Sequence, residues 1–232
     1  MHKLGKYKET DNMGDLITEH YRMLLLISRF GIALGFGDKN IGEVCRESGV
    51  DVDTFLAIVN MLFDEDDARH DAVENISIVS LLAYLHNTHD YFLNFRLPAI
   101  RAKLYEAVGG EQANLSHAIM NYFDEYAAEV QKHMMYEEKT VFPYVRLLLD
   151  GEKKIDYNID MFSRQHDRIE TRLTEFKQII IKYCPVKSTN ELNSVLSDIF
   201  NCERDLALHN AIEDRLFVPA IVALERKKEV YA

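Results

Sequence analysis

Apolar residues recur at three- and four-residue spacing along nearly the whole chain, with polar residues filling the other faces. That is the period of the α-helix, so the chain reads as all-α. From Ile76 onward four long patterns follow one another, at roughly 76–108, 112–149, 158–184 and 189–227. "GGEQAN" (109–114) breaks the first pair, "DGEKKIDYN" (150–158) the second, and "CPVKSTN" (184–190) the third, where Pro185 stops the helix. Short breaks between long helices make antiparallel neighbours, which predicts an up-down-up-down four-helix bundle.

Ahead of the bundle the pattern is finer. Residues 1–12 form a polar leader, and 13–63 predict a small helical unit. "LITEHYRMLLLISRFGIAL" predicts one long helix, ended by the glycines of "GFGDKN". A short helix follows around "IGEVCRES", then another over "DVDTFLAIVNMLF", with Asp51 or Asp53 able to cap its start. The acidic stretch "DEDDARHDAVEN", 64–75, has few apolar residues and reads as a linker. The expected division is a small helical domain over 1–70 and a bundle over 71–232.

Composition narrows the function classes. The 232 residues are 47% hydrophobic, enough for one sizeable core or two small ones. A net charge of −11, with no Lys/Arg stripe, excludes a phosphate-binding nucleic-acid role and argues against an anionic membrane surface. The most apolar early run, Leu16 to Phe36, carries Glu19, His20, Arg22 and Arg29, so it is not a bare membrane span. "MHKLGKYKET" lacks the apolar core of a signal peptide. Three widely spaced cysteines, Cys45, Cys184 and Cys202, form neither a disulfide framework nor a thiolate metal site, and they point to a reducing cytoplasm.

The chemistry lies where the apolar stripes carry polar residues. His86 and His89 fall on the core stripe of the first long helix, His133 and Glu137 on the second, His166 on the third, and His209 and Glu213 on the fourth. A His and a Glu four apart stack on one helix face, and a carboxylate persists in a core only if it is paired or binds metal. The pair alone is a weak signal, because five of nine histidines have Asp or Glu at +4. What sets His133 and His209 apart is a shared tail: "HMMYEEKTVFP" and "HNAIEDRLFVP" both place Pro at +10. Height along the bundle adds to this. His86 lies about 24 residues before the first loop centre and His133 about 23 after it, while His166 and His209 lie about 21 and 22 from theirs. Two hairpins, each written as single His, loop, then His with Glu, therefore meet in one slab.

His86, His133, Glu137, His166, His209 and Glu213 make a four-nitrogen, two-carboxylate donor set. It suits neither copper(I) nor calcium or magnesium. Two carboxylates can bridge two metals, each holding two imidazoles and an oxo or hydroxo bridge, with a coordination position left open. Iron suits this set best, manganese second, and zinc is also compatible. His89, one turn from His86, reads as an outer residue that hydrogen-bonds a ligand. Asp90 and Glu170 read as solvated or as able to orient an imidazole; Tyr122, Tyr126, Tyr136 and Tyr144 read as packing, with Met134 and Met135 as core filler.

These motifs are similar to those of hemerythrin-like, H-H-E-type four-helix domains over 76–226, and most of all to the iron–sulfur cluster repair di-iron family. "YLHNTHDYFLNFRLPAI", "HMMYEEKTVFP", "RQHDRIE" and "HNAIEDRLFVP" resemble its four motifs in order, with the same six residues in ligand positions. The resemblance implies a non-haem di-iron centre with bridging glutamates. "RFGIALGFGDKNIGEVCRESGVDVDTFLAIV" resembles that family's leader domain, which usually carries a Cys-Cys pair near the end of its first helix. Here that region reads "ALGFGDKN", without cysteine, which counts against a thiol-dependent role for the leader. The expected function is repair of, or iron supply to, damaged iron–sulfur proteins under nitrosative or oxidative stress. Reversible binding of O2 or NO, a di-iron NO or peroxide reductase, and a purely structural bundle stand as alternatives. The sequence leaves the assembly state open, a homodimer included.

Overall fold

In the computed structural model the described residues are 6–63, 75–108, 113–151, 159, 166–184 and 189–230. Among them the chain is all-helical, as the apolar period predicts, and no helix is long and apolar enough to cross a membrane. By packing it divides into two units, Met1–Thr88 with Ile212–Ala232, and His89–Ala211. The sequence-expected linker falls almost wholly on residues 64–74, outside the described residues.

In the first unit, α1 (Met13–Glu19) and α2 (Met23–Arg29) stand where a single helix is expected. The chain leaves helical geometry at His20, at φ −137° and ψ 79°. Ring contacts from outside the helix hold it there: the His20 ring packs on Phe63 at 4.2 Å and meets Tyr7 edge-on at 6.0 Å. The Tyr7 hydroxyl donates to Glu19 at 3.0 Å. Gly31, at φ 72°, then turns the chain out of α2 through a left-handed conformation that side chains resist.

The later helices start on side-chain caps. In α3 (Ile41–Glu47) Asn40 accepts from the Glu43 N–H at 2.8 Å, and the Glu43 carboxylate accepts from the Asn40 N–H at 2.9 Å. In α4 (Val52–Met61) Asp51 accepts from the Thr54 N–H at 2.8 Å, so of the two candidate caps Asp51 is the one used. The buried Thr54 hydroxyl accepts from the Ser77 N–H at 2.9 Å, just before α5 (Ile78–Asp90). Asn87 of α5 donates to the Arg29 carbonyl at 2.8 Å, and Tyr84 packs on Phe30 at 4.7 Å.

The second unit is built on four helical rods. α6 (Leu97–Val108) continues the rod begun by α5. α7 (Ala113–Tyr136) and α8 (Phe142–Leu149) form the second rod, α9 (His166–Tyr183) the third, and α10 (Thr189–Ile212) the fourth, after which the chain runs on into α11 (Val218–Val230) of the first unit. Each rod supplies one stripe to a common core: Phe92, Leu97, Ile100 and Leu104; Phe123, Tyr126, Val130 and Met134; Ile169, Leu173 and Phe176; Val195, Ile199 and Leu206. Within each stripe most steps are of three or four residues, the helical spacing; Phe92 to Leu97, five apart, spans a π turn, and Ile199 to Leu206 is seven apart. Truncating one such ring, as in Phe176→Ala, costs about 3–5 kcal/mol in a core that cannot collapse. Asp198 accepts from Arg96 at 3.2 Å and from Lys103 at 2.6 Å, tying the fourth rod to the first. Such rim pairs fix register and contribute about 0–1 kcal/mol each.

Among the described residues, three turns of these rods are π-helical: Tyr91–Arg96, Glu137–Val141 and Glu213–Phe217. Each closes on a hydrogen bond from a residue five places on: Leu97 to Phe92, Phe142 to Glu137, and Val218 to Glu213. In all three the donor immediately precedes a proline, Pro98, Pro143 or Pro219. Proline inside an α-helix has no N–H and strikes the carbonyl four residues back; a wider turn ahead of it gives that carbonyl room without breaking the rod.

Candidate metal centre

Two of the π turns begin on the glutamates singled out in the sequence, and the third begins two residues after His89. Immediately before each glutamate the α-helix sets a histidine one turn back on the same face, so His133 pairs with Glu137 and His209 with Glu213. All four are buried: His209, Glu137 and Glu213 are 0% exposed, His133 is 3%, and His89 from the first rod is 2%. Within the second unit, one donor atom each from His89, Glu137 and His209 fall within 4.8 Å of one another, and Glu213 follows His209 one helical turn later in the chain.

Glu137 is the hinge of the arrangement. Its Oε1 lies 2.9 Å from His133 Nε2, and its Oε2 lies 2.8 Å from His89 Nε2. Burial alone pushes its carboxyl upward, but the bonds from His133 and His89 override that and hold it below the usual carboxylate range. His89 is gripped on its other side as well, where Nδ1 lies 2.8 Å from Glu138 Oε1. Its ring stacks on Phe142 at 5.4 Å and 7°, and meets His209 edge-on at 5.1 Å. Phe92 closes against His209 at 6.2 Å.

The donor chemistry fits a cation. With the Nδ1 proton directed at Glu138, a neutral His89 presents its Nε2 lone pair to a carboxylate oxygen 2.8 Å away. Two acceptors face each other stably only with a proton or a metal ion between them. Glu137 addresses two imidazoles with its two oxygens, the disposition of a bridging carboxylate. Two buried carboxylates would otherwise cost several kcal/mol each in desolvation.

His86, expected as the first-rod ligand, is exposed, and His89, expected as an outer residue, occupies the buried position. The reason is helical phase. The buried face of α5 runs through Leu81, Leu85, Thr88 and His89 and on to Phe92, while His86 and Asn87 turn outward. Height could not separate the two, since three residues span only about 4.5 Å along a helix axis. His166 is the first residue of α9, and its side chain lies outside the described residues. Of the acids expected to orient an imidazole, Asp90 instead accepts from Asn94 at 2.7 Å, and Glu170 accepts from Asn210, the neighbour of His209, at 2.6 Å. The acid on an imidazole is Glu138, which the sequence reading missed. Tyr126 is 0% exposed, and burial drives its phenol well above the ordinary value, so it packs as a neutral ring. Met134, also 0% exposed, is core filler as expected, whereas Met135 is only partly buried.

Helical rods that pool buried imidazoles and carboxylates around one point define a cation-binding bundle. Residues 80–221 match the Hemerythrin HHE cation binding domain, and the chain belongs to that family. A search among curated proteins gives no match. Metal binding by a hemerythrin-like bundle is thus a property of the chain, carried by the His/Glu group just described.

Proposed function

We propose that the centre holds two non-haem iron ions, with manganese or zinc as weaker occupants, and that the protein serves a response to nitric oxide or oxidants by binding a small diatomic ligand. The observation that supports this most is the Glu137 carboxylate, wholly buried and shared between two imidazole nitrogens at 2.8 and 2.9 Å. A carboxylate so placed would help hold two ions, with Glu213 as its counterpart in the second copy of the motif. His89, His133 and His209 would supply nitrogen donors, and His166 is the fourth that the sequence motif assigns. When bound, a di-iron centre supplies one-electron chemistry and an open position for O2 or NO. Phe142 and Phe92 pack against the rings of His89 and His209 and give these buried donors apolar neighbours.

Repair of iron–sulfur proteins is the second reading, favoured by the likeness of four ordered motifs and of the N-terminal helices. In that role the protein acts in the cytoplasm and passes iron or electrons to a damaged partner. A thiol handover from the leader finds no support at Cys45, which is 0% exposed and whose thiol burial pushes up to about 12. The test is the iron content of protein purified without added metal, read beside its near-ultraviolet spectrum. Two irons per chain and a band that shifts with NO or O2 and then recovers support ligand binding. Restoration of a damaged iron–sulfur enzyme supports repair. Iron below stoichiometry even after anaerobic reconstitution overturns both.

A further inference from the structure

Three groups from one helical rod converge on a single imidazole of another. Glu137 Oε2 meets His89 Nε2 at 2.8 Å, Glu138 Oε1 meets His89 Nδ1 at 2.8 Å, and the Phe142 ring stacks on its face at 5.4 Å. Glu137 and Glu138 are sequence neighbours. In a regular α-helix, successive side chains diverge by roughly 100°, and two adjacent residues do not reach opposite ends of one ring. Here they lie in the π turn Glu137–Val141, which rotates less per residue. The same turn carries Phe142 at its closing hydrogen bond. Glu138 differs from Glu137 in its setting: its side chain is 20% exposed, against 0% for Glu137, so it stands at the rim while its neighbour lies within.

We propose that Glu138 is a positioning residue: its carboxylate keeps the proton of His89 on Nδ1 and fixes the ring so that Nε2 is the atom presented to the centre, and the π turn exists to place both glutamates on that one ring. Imidazole has two nearly equivalent tautomers, and only one of them leaves a lone pair facing Glu137. A carboxylate on Nδ1 selects that tautomer and raises the donor strength of Nε2. The bond also anchors χ2 of His89, which otherwise flips between two ring orientations. The part of this inference that concerns metal affinity rests on the reading of the centre above; the part that concerns the tautomer does not.

The experiment compares the full chain with Glu138→Ala, Glu138→Gln and, as a control on an exposed neighbour, Lys139→Ala. In the metal-free protein at neutral pH, nitrogen-15 NMR of the imidazoles should show a slowly exchanging Nδ1–H on His89. Glu138→Ala should exchange that proton faster by roughly an order of magnitude, the worth of one hydrogen bond to a charged group. Glu138→Gln retains an acceptor oxygen and should restore slow exchange. Cobalt(II) titration followed optically should show a 10- to 100-fold loss of affinity in Glu138→Ala, roughly the effect of removing an outer carboxylate, a smaller loss in Glu138→Gln, and none in Lys139→Ala. A purely structural role for Glu138 would move the melting temperature without moving the Nδ1–H signal. An unchanged His89 signal and unchanged cobalt affinity in Glu138→Ala overturn the proposal. Should Glu138→Ala not fold, a Glu138→Gln protein whose His89 proton exchanges as fast as a solvent-exposed imidazole overturns it equally. If the parent chain binds no cobalt or iron while the proton behaves as expected, the metal reading fails and the positioning role stands.

Discussion

Glu137→Ala removes the group on which the centre turns. In the metal-free chain it deletes two short contacts to imidazoles, at 2.8 and 2.9 Å, from a site 0% exposed. Removing one partner of a buried ion pair costs about 3–5 kcal/mol. For a chain of this size that lowers the melting temperature by roughly 6–20 °C. Metal adds a second loss. A ligand at a hundred times its Kd stabilises the folded state by about 2.7 kcal/mol, and the variant forfeits that increment. The assay is iron per chain after anaerobic reconstitution, with melting curves taken with and without metal. The parent should gain stability on loading, and Glu137→Ala should bind little iron and gain almost none. Acid melting supplies a check on the sign. Glu137's folded carboxyl lies below its unfolded value, so its contribution is complete above about pH 4.3 and is lost as pH falls through the folded value. The metal-free parent should therefore show an acid-limb decline that Glu137→Ala lacks. Full iron occupancy in Glu137→Ala, or an acid limb identical to the parent's, refutes the bridging assignment.

Other expectations follow from the same geometry. His89→Ala should lose metal by an order of magnitude or more, while His86→Ala, at an exposed position, should retain the parent's stoichiometry by metal analysis; the reverse result would restore the original sequence reading. Cys45 should resist thiol-specific reagents at pH 8 in the native protein, whereas the partly exposed Cys184 labels. Because its folded pKa is raised to about 12, mainly by burial and against a small opposing pull from Arg46, the Cys45 contribution to stability should persist at neutral pH and decline as pH climbs toward that value. Rapid native labelling of Cys45 at pH 8 would contradict this. Pro143→Ala restores a backbone N–H and permits the turn Glu137–Val141 to tighten toward α geometry. It should weaken metal binding, by calorimetric titration, about 10-fold or more while changing stability by less than about 1 kcal/mol; unchanged affinity would show that the wide turn is dispensable.

Much of the fold was legible because its cause is local. Apolar spacing set the rods, and "IGEVCRES" and "DVDTFLAIVNMLF" start on caps that are written next to them, Asn40 and Asp51. What failed was the helix over residues 16–34. Its periodicity is continuous, yet it breaks at His20, because Tyr7 and Phe63, distant in sequence, hold that ring out of line. No local signal carries such a contact. Likewise His133, Glu137, His209 and Glu213 could be found because each pair sits on one helix, so a spacing of four implies a shared face. Glu138 could not be found by that rule, since a neighbour of a buried residue is normally outside.

The π turns explain both the success and the failure on the first rod. The shared proline ten residues beyond His133 and His209 is not a mark of ligation in itself. It enforces a wide turn, Glu137–Val141 or Glu213–Phe217, that opens on the glutamate and sets where that carboxylate points. The first rod carries the same device, with Pro98 just after the turn Tyr91–Arg96. Measured back from each proline, the partner histidines stand ten residues away on the second and fourth rods, and on the first rod His89 stands nine away while His86 stands twelve. The proline therefore ranked His89 above His86 on the sequence alone, once its role is seen as setting the turn. By contrast, apolar phase placed both histidines on one stripe and left the choice to height, a measure too coarse to decide between residues one turn apart.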